Sequence, residues 1–93
     1  MTKLDELNEM VTEAQVQYYR LRKELKQREA ELFLFADVNE ILGRKATQKD
    51  KEHFVTIMTS ELKGSVDDAY INYQYASRKY ENAKLETEKE IRE

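Results

Sequence analysis

A single histidine and many carboxylates are the side chains of this sequence best suited to acid–base or metal chemistry. His53 follows Asp50 by three residues, so the two side chains share one face if the segment is helical. This spacing supplies half of a carboxylate-bridged two-metal site, which needs a second such pair and further inward carboxylates on other helices. The sequence contains no second histidine, and Lys49 and Lys51 beside the pair would repel a cation. We therefore predict a surface histidine with no metal and no other cofactor.

The carboxylates form a solvated face in this sequence and do not form a catalytic pair. Catalysis by carboxylates needs a desolvated cleft that raises the pKa of one of them. Here the glutamates alternate with lysines and amides at positions expected to be exposed, where they give solubility and modest helix pairing. The sequence has no cysteine nucleophile and no glycine-rich phosphate loop. We predict that the chain is not an enzyme and takes no small-molecule substrate.

The composition is typical of long solvated helices. Charged residues make up 38% of the 93 residues and apolar residues 40%, with no proline and two glycines. Six tyrosines and three phenylalanines argue against disorder. No segment approaches the roughly 18 apolar residues of a membrane span, and no secretory signal is present. Together with the lack of cysteine, these features predict one small cytoplasmic domain over residues 1–93 that does not enter a membrane.

An apolar seam runs through the first half of the chain in steps of three and four residues, the heptad pattern of coiled-coil packing. Its members are Leu4, Leu7, Val11, Ala14, Tyr18, Leu21, Leu25, Leu32, Phe35 and Leu42. The gaps are at Arg28 and Asn39. The seam predicts a helix over about residues 2–42, capped by Thr2 and ended by Gly43.

A second seam runs through the other half of the chain. Its members are Val55, Met58, Leu62, Val66, Ala69, Tyr73, Ala76, Tyr80 and Ala83. The two successive steps of four after Met58 form a local stutter near Gly64-Ser65. Either Gly64 bends one continuous helix over about residues 48–92, or it ends one helix and Ser65 caps another.

These two seams favour an all-α fold, a long antiparallel two-helix hairpin that resembles a coiled coil. The connection over residues 43–47 is too short for a flexible linker, so the helices should fold back on each other. A three-helix bundle with a break at Gly64-Ser65 is the alternative. Thr47, with Asp50 three residues later, is the predicted start of the second helix.

Several apolar residues lie off the two seams and are the predicted contacts with other molecules. They are Phe33, Leu34, Val38, Ile41, Phe54 and Ile57 near the turn, and Ile71 and Tyr75 farther along. A helix that is apolar on more than one side is expected to be covered on more than one side. We predict a homodimer that pairs two hairpins into a four-helix bundle. A docking face for a different protein and tighter packing within one hairpin are the alternatives.

Basic residues are concentrated in two places although the net charge is −3 and the isoelectric point about 5.3. One group on the first helix comprises Arg20, Arg22, Lys23, Lys26 and Arg28, and a second at the turn comprises Arg44, Lys45, Lys49 and Lys51. The opposite end of the hairpin is acidic. These residues are candidate contacts for phosphates or for an acidic partner, so a nucleic-acid-binding hairpin is the alternative function.

The function that these patterns favour is a non-enzymatic protein-interaction module. An adaptor, a scaffold or a small regulator belongs to this class, as does an inhibitor of the kind that bacteriophages encode. Small secreted helical hairpins of the type VII secretion class carry Trp-x-Gly at the turn. Here Ile41-Leu42-Gly43 occupies that position without the tryptophan. Prefoldin-like chaperones have strands between their long helices, with no counterpart in this sequence, so the sequence is assigned to neither family.

Overall fold

A computed structural model describes residues 2–92, apart from the side chains of Phe35 and Arg92, so the predicted seam position at Phe35 lies outside the described side chains. The helices are α1 (Lys3–Phe35), α2 (Val38–Leu42), α3 (Gln48–Met58) and α4 (Ser60–Arg92). Helix α1 packs against α4 over most of its length, and α3 covers its distal end. The rod measures 72 × 20 × 15 Å. Residues 2–92 contain no strand, and the predicted all-α hairpin is confirmed.

The starts of the two long segments and the tip of the hairpin lie where the sequence predicts them. The Asp5 N–H donates to Thr2 Oγ1 at 3.1 Å, and the Thr2 N–H donates to Asp5 Oδ2 at 3.3 Å. Thr47 and Asp50 form the same reciprocal pair at 3.2 and 2.8 Å. Gly43 adopts the left-handed conformation, with φ 68° and ψ 17°, that glycine enters most readily. These three predicted boundaries are confirmed.

The prediction of one unbroken first helix over residues 2–42 is wrong. Helix α1 ends at Phe35, and Ala36 is extended with φ −73° and ψ 132°. Asp37 then caps α2, because its Oδ1 accepts the Glu40 N–H at 3.1 Å. A short carboxylate side chain that bonds nearby backbone competes with helix continuation, and this is the physical reason for the break. The Asp-x-x-Glu spacing of residues 37 and 40 was a readable signal of a helix start.

The alternative fold, a three-helix bundle with a break at Gly64-Ser65, is wrong, because Gly64 lies inside α4 and the helix continues through it. An exposed glycine costs a helix about 1 kcal/mol relative to alanine, which packing against a partner helix overcomes. The local distortion is at Thr59 instead, with φ −106° and ψ 6°. The helical hydrogen bonds pass through it, since the Thr59 N–H donates to the Val55 carbonyl at 3.0 Å and the Lys63 N–H to the Thr59 carbonyl at 2.9 Å.

The buried position at this distortion is Thr59 and not Met58. Thr59 is 3% exposed, whereas Met58 is 51% exposed. With Thr59 in the seam, the second helix steps regularly from Val55 to Thr59, Leu62 and Val66, and the predicted stutter disappears. The buried hydroxyl is satisfied, because Thr59 Oγ1 donates to the Val55 carbonyl at 2.7 Å. The sequence pattern missed this position because threonine is polar.

The core between the helices is thin. Its buried apolar members are Leu7, Ala14, Leu32, Val38, Val55, Val66 and Ala76. Most other seam residues are half-buried, as expected where only one helix covers another. The exceptions are Leu42 and Met58, which are exposed, and the two gap positions Arg28 and Asn39, which are exposed as well. Arg28 pairs with Glu31 at 3.8 Å.

Candidate interaction surfaces

Two polar contacts hold the tip of the rod. Asn39 Oδ1 accepts the Ala46 N–H at 2.6 Å and so links α2 to the chain that enters α3. Arg44 donates to Asp50 Oδ2 at 2.8 Å and to Oδ1 at 3.2 Å. This hydrogen-bonded guanidinium, with further bonds from Thr47, holds the pKa of Asp50 well below its usual range. Asp50 in turn raises the pKa of Arg44.

The predicted basic residues are not equally available for contacts. Arg44 is engaged by Asp50, while Lys45 and Lys49 are exposed and Lys51 is half-buried. The predicted group on α1 is exposed throughout, comprising Arg20, Arg22, Lys23, Lys26 and Arg28. Three of these side chains and exposed Tyr19 line a groove of about 390 Å³; the three are Arg22, Lys23 and Lys26.

A more apolar groove lies beside the tip, where the end of α1 meets α3. We call it the tip groove, and its lining residues are Glu29, Ala30, Phe33, Leu34, Glu52, Val55 and Thr56. Its volume is about 470 Å³. Leu34 is 70% exposed, and Phe33 beside it is half-buried. The helices therefore leave a large aliphatic side chain in water next to a partly open aromatic ring, in a groove that two glutamates also line.

The predicted contact residues near the turn do not form one surface in the structure. Phe33 and Leu34 lie together in the tip groove, but Val38 is buried within the hairpin. Phe54 is half-buried, and Ile41 is exposed on α2. Because Val38 belongs to the core, it cannot contact a partner without rearrangement.

A third surface runs along the side of α3 and α4 that faces away from α1. We call it the outer stripe, and its members are Ile57, Gly64, Ile71, Arg78 and Leu85, each seven residues from the next. Ile57 lies here because its neighbours two residues away on either side, Val55 and Thr59, are buried. The exposed fractions of Ile57, Ile71 and Leu85 are 57%, 61% and 61%.

The outer stripe joins two residues that the sequence assigned to separate contacts, and it adds a third. Ile57 was grouped with the turn and Ile71 with a second site, whereas the structure gives them one helix face. Leu85 was missed, although its spacing of fourteen residues from Ile71 was a readable signal. Tyr75 lies beside the stripe, is exposed, and has Lys79 Nζ 5.5 Å from its ring centroid.

The tyrosines in the middle of the rod pack on one another across the helices. The Tyr18 ring centroid lies 5.2 Å from that of Tyr70 and 6.2 Å from that of Tyr73. Tyr19 also contacts it, at 5.4 Å. Tilted rings at these separations are a favourable aromatic packing geometry. Tyr18 and Tyr73 are therefore core residues, as the seams predict.

Within residues 2–92, no group of three or more histidine, aspartate or glutamate side chains is arranged to hold a metal ion. None of the helices in that range is long and apolar enough to span a membrane. Comparison of the chain with protein-family models, with curated proteins and with solved structures found no match. The candidate surfaces thus rest on the chemistry and geometry of this chain alone.

Proposed function

We propose that this chain is a non-enzymatic protein-interaction module that acts as a homodimer and binds a helix of another protein in the tip groove. The observation that carries the proposal is Leu34, 70% exposed beside the half-buried ring of Phe33 in a groove of about 470 Å³. Clustered exposed apolar residues on a charged protein mark interaction sites. An adaptor, a scaffold and a small regulator all use such a site. A cytoplasmic location stays a prediction from the sequence.

The charges around the tip groove indicate the chemistry of the partner. Glu29 on α1 and Glu52 on α3 line the groove together with its apolar residues. An amphipathic helix docks in such a groove through apolar residues three and four positions apart. Lysine or arginine beside those apolar residues would pair with the two glutamates. The partner segment that fits is therefore a basic amphipathic helix.

The tip contacts support this role because they order the chain next to the groove before a partner arrives. The bond from Ala46 to Asn39 and the ion pair of Arg44 with Asp50 restrict the chain between α2 and α3. A site that is already ordered loses less conformational entropy when it binds. The groove walls on α1 and α3 therefore need little rearrangement.

The experiment uses a designed basic amphipathic peptide of leucine and lysine, with an otherwise identical leucine and glutamate peptide as its charge control. We expect the basic peptide to shift amide resonances of residues in the tip groove and the acidic peptide to leave them unchanged. Leu34→Glu should weaken binding at least tenfold, since it puts a charge on the apolar floor of the groove. Ile41→Glu is the matched control, because Ile41 is exposed at the same end but does not line the groove.

The same pair of variants tests capture of natural partners from cells of the native host. The unmodified chain and Ile41→Glu should retain the same proteins, and Leu34→Glu should lose them. Equal peptide binding by Leu34→Glu and Ile41→Glu, with equal capture by both, would contradict the assignment of the tip groove.

A second candidate function, nucleic-acid binding, is favoured by one observation on α1. Exposed Tyr19 lines a groove with Arg22, Lys23 and Lys26, which offers a stacking ring beside three positive charges. Binding of single-stranded DNA or RNA should then fall steeply with salt and be lost when Lys23 and Lys26 are both changed to Gln. No binding at low salt would remove this candidate.

A further inference from the structure

The residues of the outer stripe are spaced symmetrically about Ile71, and the fold of the single hairpin does not require this spacing. Its apolar members Ile57 and Leu85 lie fourteen residues before and after Ile71. Gly64 and Arg78 lie seven residues before and after the same point. A twofold contact between identical helices that run in opposite directions pairs each residue with the one equally far on the other side of the axis.

Gly64 has no role in the isolated hairpin that requires glycine. It lies inside α4 and is exposed, and Gly43 is the glycine with a positive φ. A Cβ atom added at Gly64 would meet nothing within 4 Å. Glycine is among the poorest helix formers, so another residue would serve the single chain better. Close approach of a second molecule at this point would explain why the residue is glycine, because glycine has no side chain to block the contact.

We propose that two copies of the chain associate through the outer stripe, antiparallel to each other, about a twofold axis at Ile71. This inference rests on the homodimer of the proposed function and specifies its contact surface. Ile71 packs on Ile71 of the second copy, and Ile57 packs on Leu85 of the second copy. The remaining pair sets Gly64 of each copy opposite Arg78 of the other.

The charges around Gly64 match this pairing. Glu61 and Asp67 lie three residues on either side of Gly64, and Asp68 lies four residues after it, so all three border the space left by the absent side chain. Arg78 of the second copy enters that space and pairs with these carboxylates. Neither ion pair in the described part of the chain, at 3.8 and 2.8 Å, involves any of these residues. Arg78 of the second copy therefore has carboxylates to pair with, while the same axis sets Glu61 opposite Glu81, and this like-charge pair weakens the dimer.

The size of the contact predicts a weak dimer. From Ile57 to Leu85 the helix rises about 42 Å, and a helix contact about 10 Å wide over that length buries about 400 Å² per copy. Stable complexes bury about 800 Å² per partner, so we expect dissociation in the range of about 10 to 100 μM. The α1 side of the tip groove, with Phe33 and Leu34, lies away from the outer stripe, so the dimer leaves that side open to a partner at each end.

Disulfide crosslinking tests the axis directly, because the chain has no cysteine of its own. Ile71→Cys should form a covalent dimer quickly under mild oxidation, since the two Cα atoms at the axis lie within disulfide reach. Ile57→Cys should not crosslink to itself, but it should crosslink to Leu85→Cys when the two variants are mixed. Val16→Cys is the matched control, because Val16 is an exposed β-branched residue on the outer side of α1.

Two outcomes of the crosslinking would overturn the inference. One is Ile71→Cys crosslinking no faster than Val16→Cys, which would mean that the two copies do not meet at Ile71. The other is rapid self-crosslinking of Ile57→Cys, which would indicate parallel helices.

Sedimentation and small-angle scattering separate this inference from the wider homodimer proposal. Association through the outer stripe lays the rods side by side, so the largest dimension of the dimer stays near the 72 Å of one chain. Association through the tip lengthens the dimer well beyond that.

Ile71→Glu should weaken the dimer at least tenfold, and Val16→Glu should leave it unchanged. Gly64→Gln should raise the Tm of dilute protein yet weaken the dimer, because it favours the helix and fills the space for Arg78.

The experiments distinguish failure of the outer-stripe contact from failure of the homodimer proposal. A long dimer that Leu34→Glu dissociates and Ile71→Glu does not would overturn the outer-stripe contact and leave the homodimer standing. A monomer at all concentrations up to the millimolar range would overturn the contact and the homodimer together. The peptide test of the tip groove is independent of both results.

Discussion

The shaft of the rod, where α1 lies against α4, and its tip, where α2 and α3 meet the end of α1, are stabilised by different kinds of contact. In the shaft, small apolar side chains such as Ala14, Val66 and Ala76 are buried at heptad positions. The tip buries Val38 and Val55 but also depends on individual polar bonds, such as the one that joins Asn39 to Ala46 over 2.6 Å. The shaft therefore repeats one kind of apolar contact along its length, whereas each polar bond of the tip occurs once.

This difference predicts how the two regions respond to damage. A repeated apolar interface tolerates exposed changes but not a charge in its interior, because burial of an unpaired charge is far more costly than loss of one contact. A polar loop loses order when one donor or acceptor is removed, but each hydrogen bond contributes only about 1 kcal/mol. Substitutions in the shaft should thus change the free energy of unfolding most, and the change should depend strongly on whether the substituted residue is buried.

The largest expected effect is from Val66→Asp in the shaft. Val66 is buried against α1, so the substitution removes an apolar contact and puts a carboxylate in the interface. We expect a loss of about 3 kcal/mol or more in the free energy of unfolding, measured by urea denaturation followed by circular dichroism. Val16→Asp, the same change at an exposed shaft position, should cost less than about 0.5 kcal/mol. Similar losses for the two variants would contradict the burial pattern.

A smaller effect is expected from Thr47→Ala at the tip. Thr47 Oγ1 accepts the Asp50 N–H at 3.2 Å and so caps the 11-residue helix α3. Removal of such a cap should lower the free energy of unfolding by about 1 kcal/mol. Thr2→Ala removes the same kind of cap from the 33-residue helix α1, which is packed along α4. Its cost should be lower because only the first turn depends on it, and an equal or larger cost would contradict the contrast.

The same contrast explains what the sequence predicts and what it does not. The shaft follows from periodicity, because positions such as Leu7, Ala14 and Val66 fit one repeat and are buried together. The tip depends on which of several polar bonds forms, and sequence spacing alone does not rank them. Asn39 appeared in the pattern only as a gap, yet its side chain holds the loop.

The candidate surfaces were predictable in part for the same reason. Leu34 and Ile71 are off the seams and are exposed, as the pattern predicts. The grouping of the residues near the turn was not predictable, because the chain breaks at Asp37 and Val38, which follows the break, is buried. A break set by one capping carboxylate therefore changed which apolar residues face water.

The junction of shaft and tip offers a stabilising change, Thr59→Val. Thr59 fills a seam position, and its hydroxyl bonds the Val55 carbonyl at 2.7 Å. That carbonyl keeps the Thr59 N–H as a donor at 3.0 Å, so valine leaves no buried group unpaired and adds an apolar contact. We expect a gain of about 0.5 to 1 kcal/mol in the free energy of unfolding. Met58→Val is the control, and it should change the free energy of unfolding little because Met58 is exposed. A loss of about 1 kcal/mol or more there would instead assign Met58 to the seam, because shortening a buried side chain is destabilising.

The smallest expected effect is a pH dependence that originates at the tip. The hydrogen bonds from Arg44 and Thr47 hold the pKa of Asp50 well below its usual range. A carboxyl with a lower pKa in the folded than in the unfolded protein stabilises the fold above its unfolded pKa of about 3.9. That stabilisation disappears as the pH falls through the folded pKa. Between about pH 5 and pH 2, the unmodified chain should therefore lose more stability than Asp50→Asn.

The control for this pH dependence is Glu31→Gln on the shaft. Glu31 Oε2 lies 3.8 Å from Arg28, and both side chains are more than half exposed, so its removal should leave the acid limb of the stability curve unchanged. Arg44→Gln should flatten that limb as Asp50→Asn does, because the guanidinium is the largest cause of the low pKa. Equal acid sensitivity of the unmodified chain and both tip variants would show that the Arg44 and Asp50 pair does not stabilise the fold, and the tip would then depend on Asn39 and the Thr47 cap.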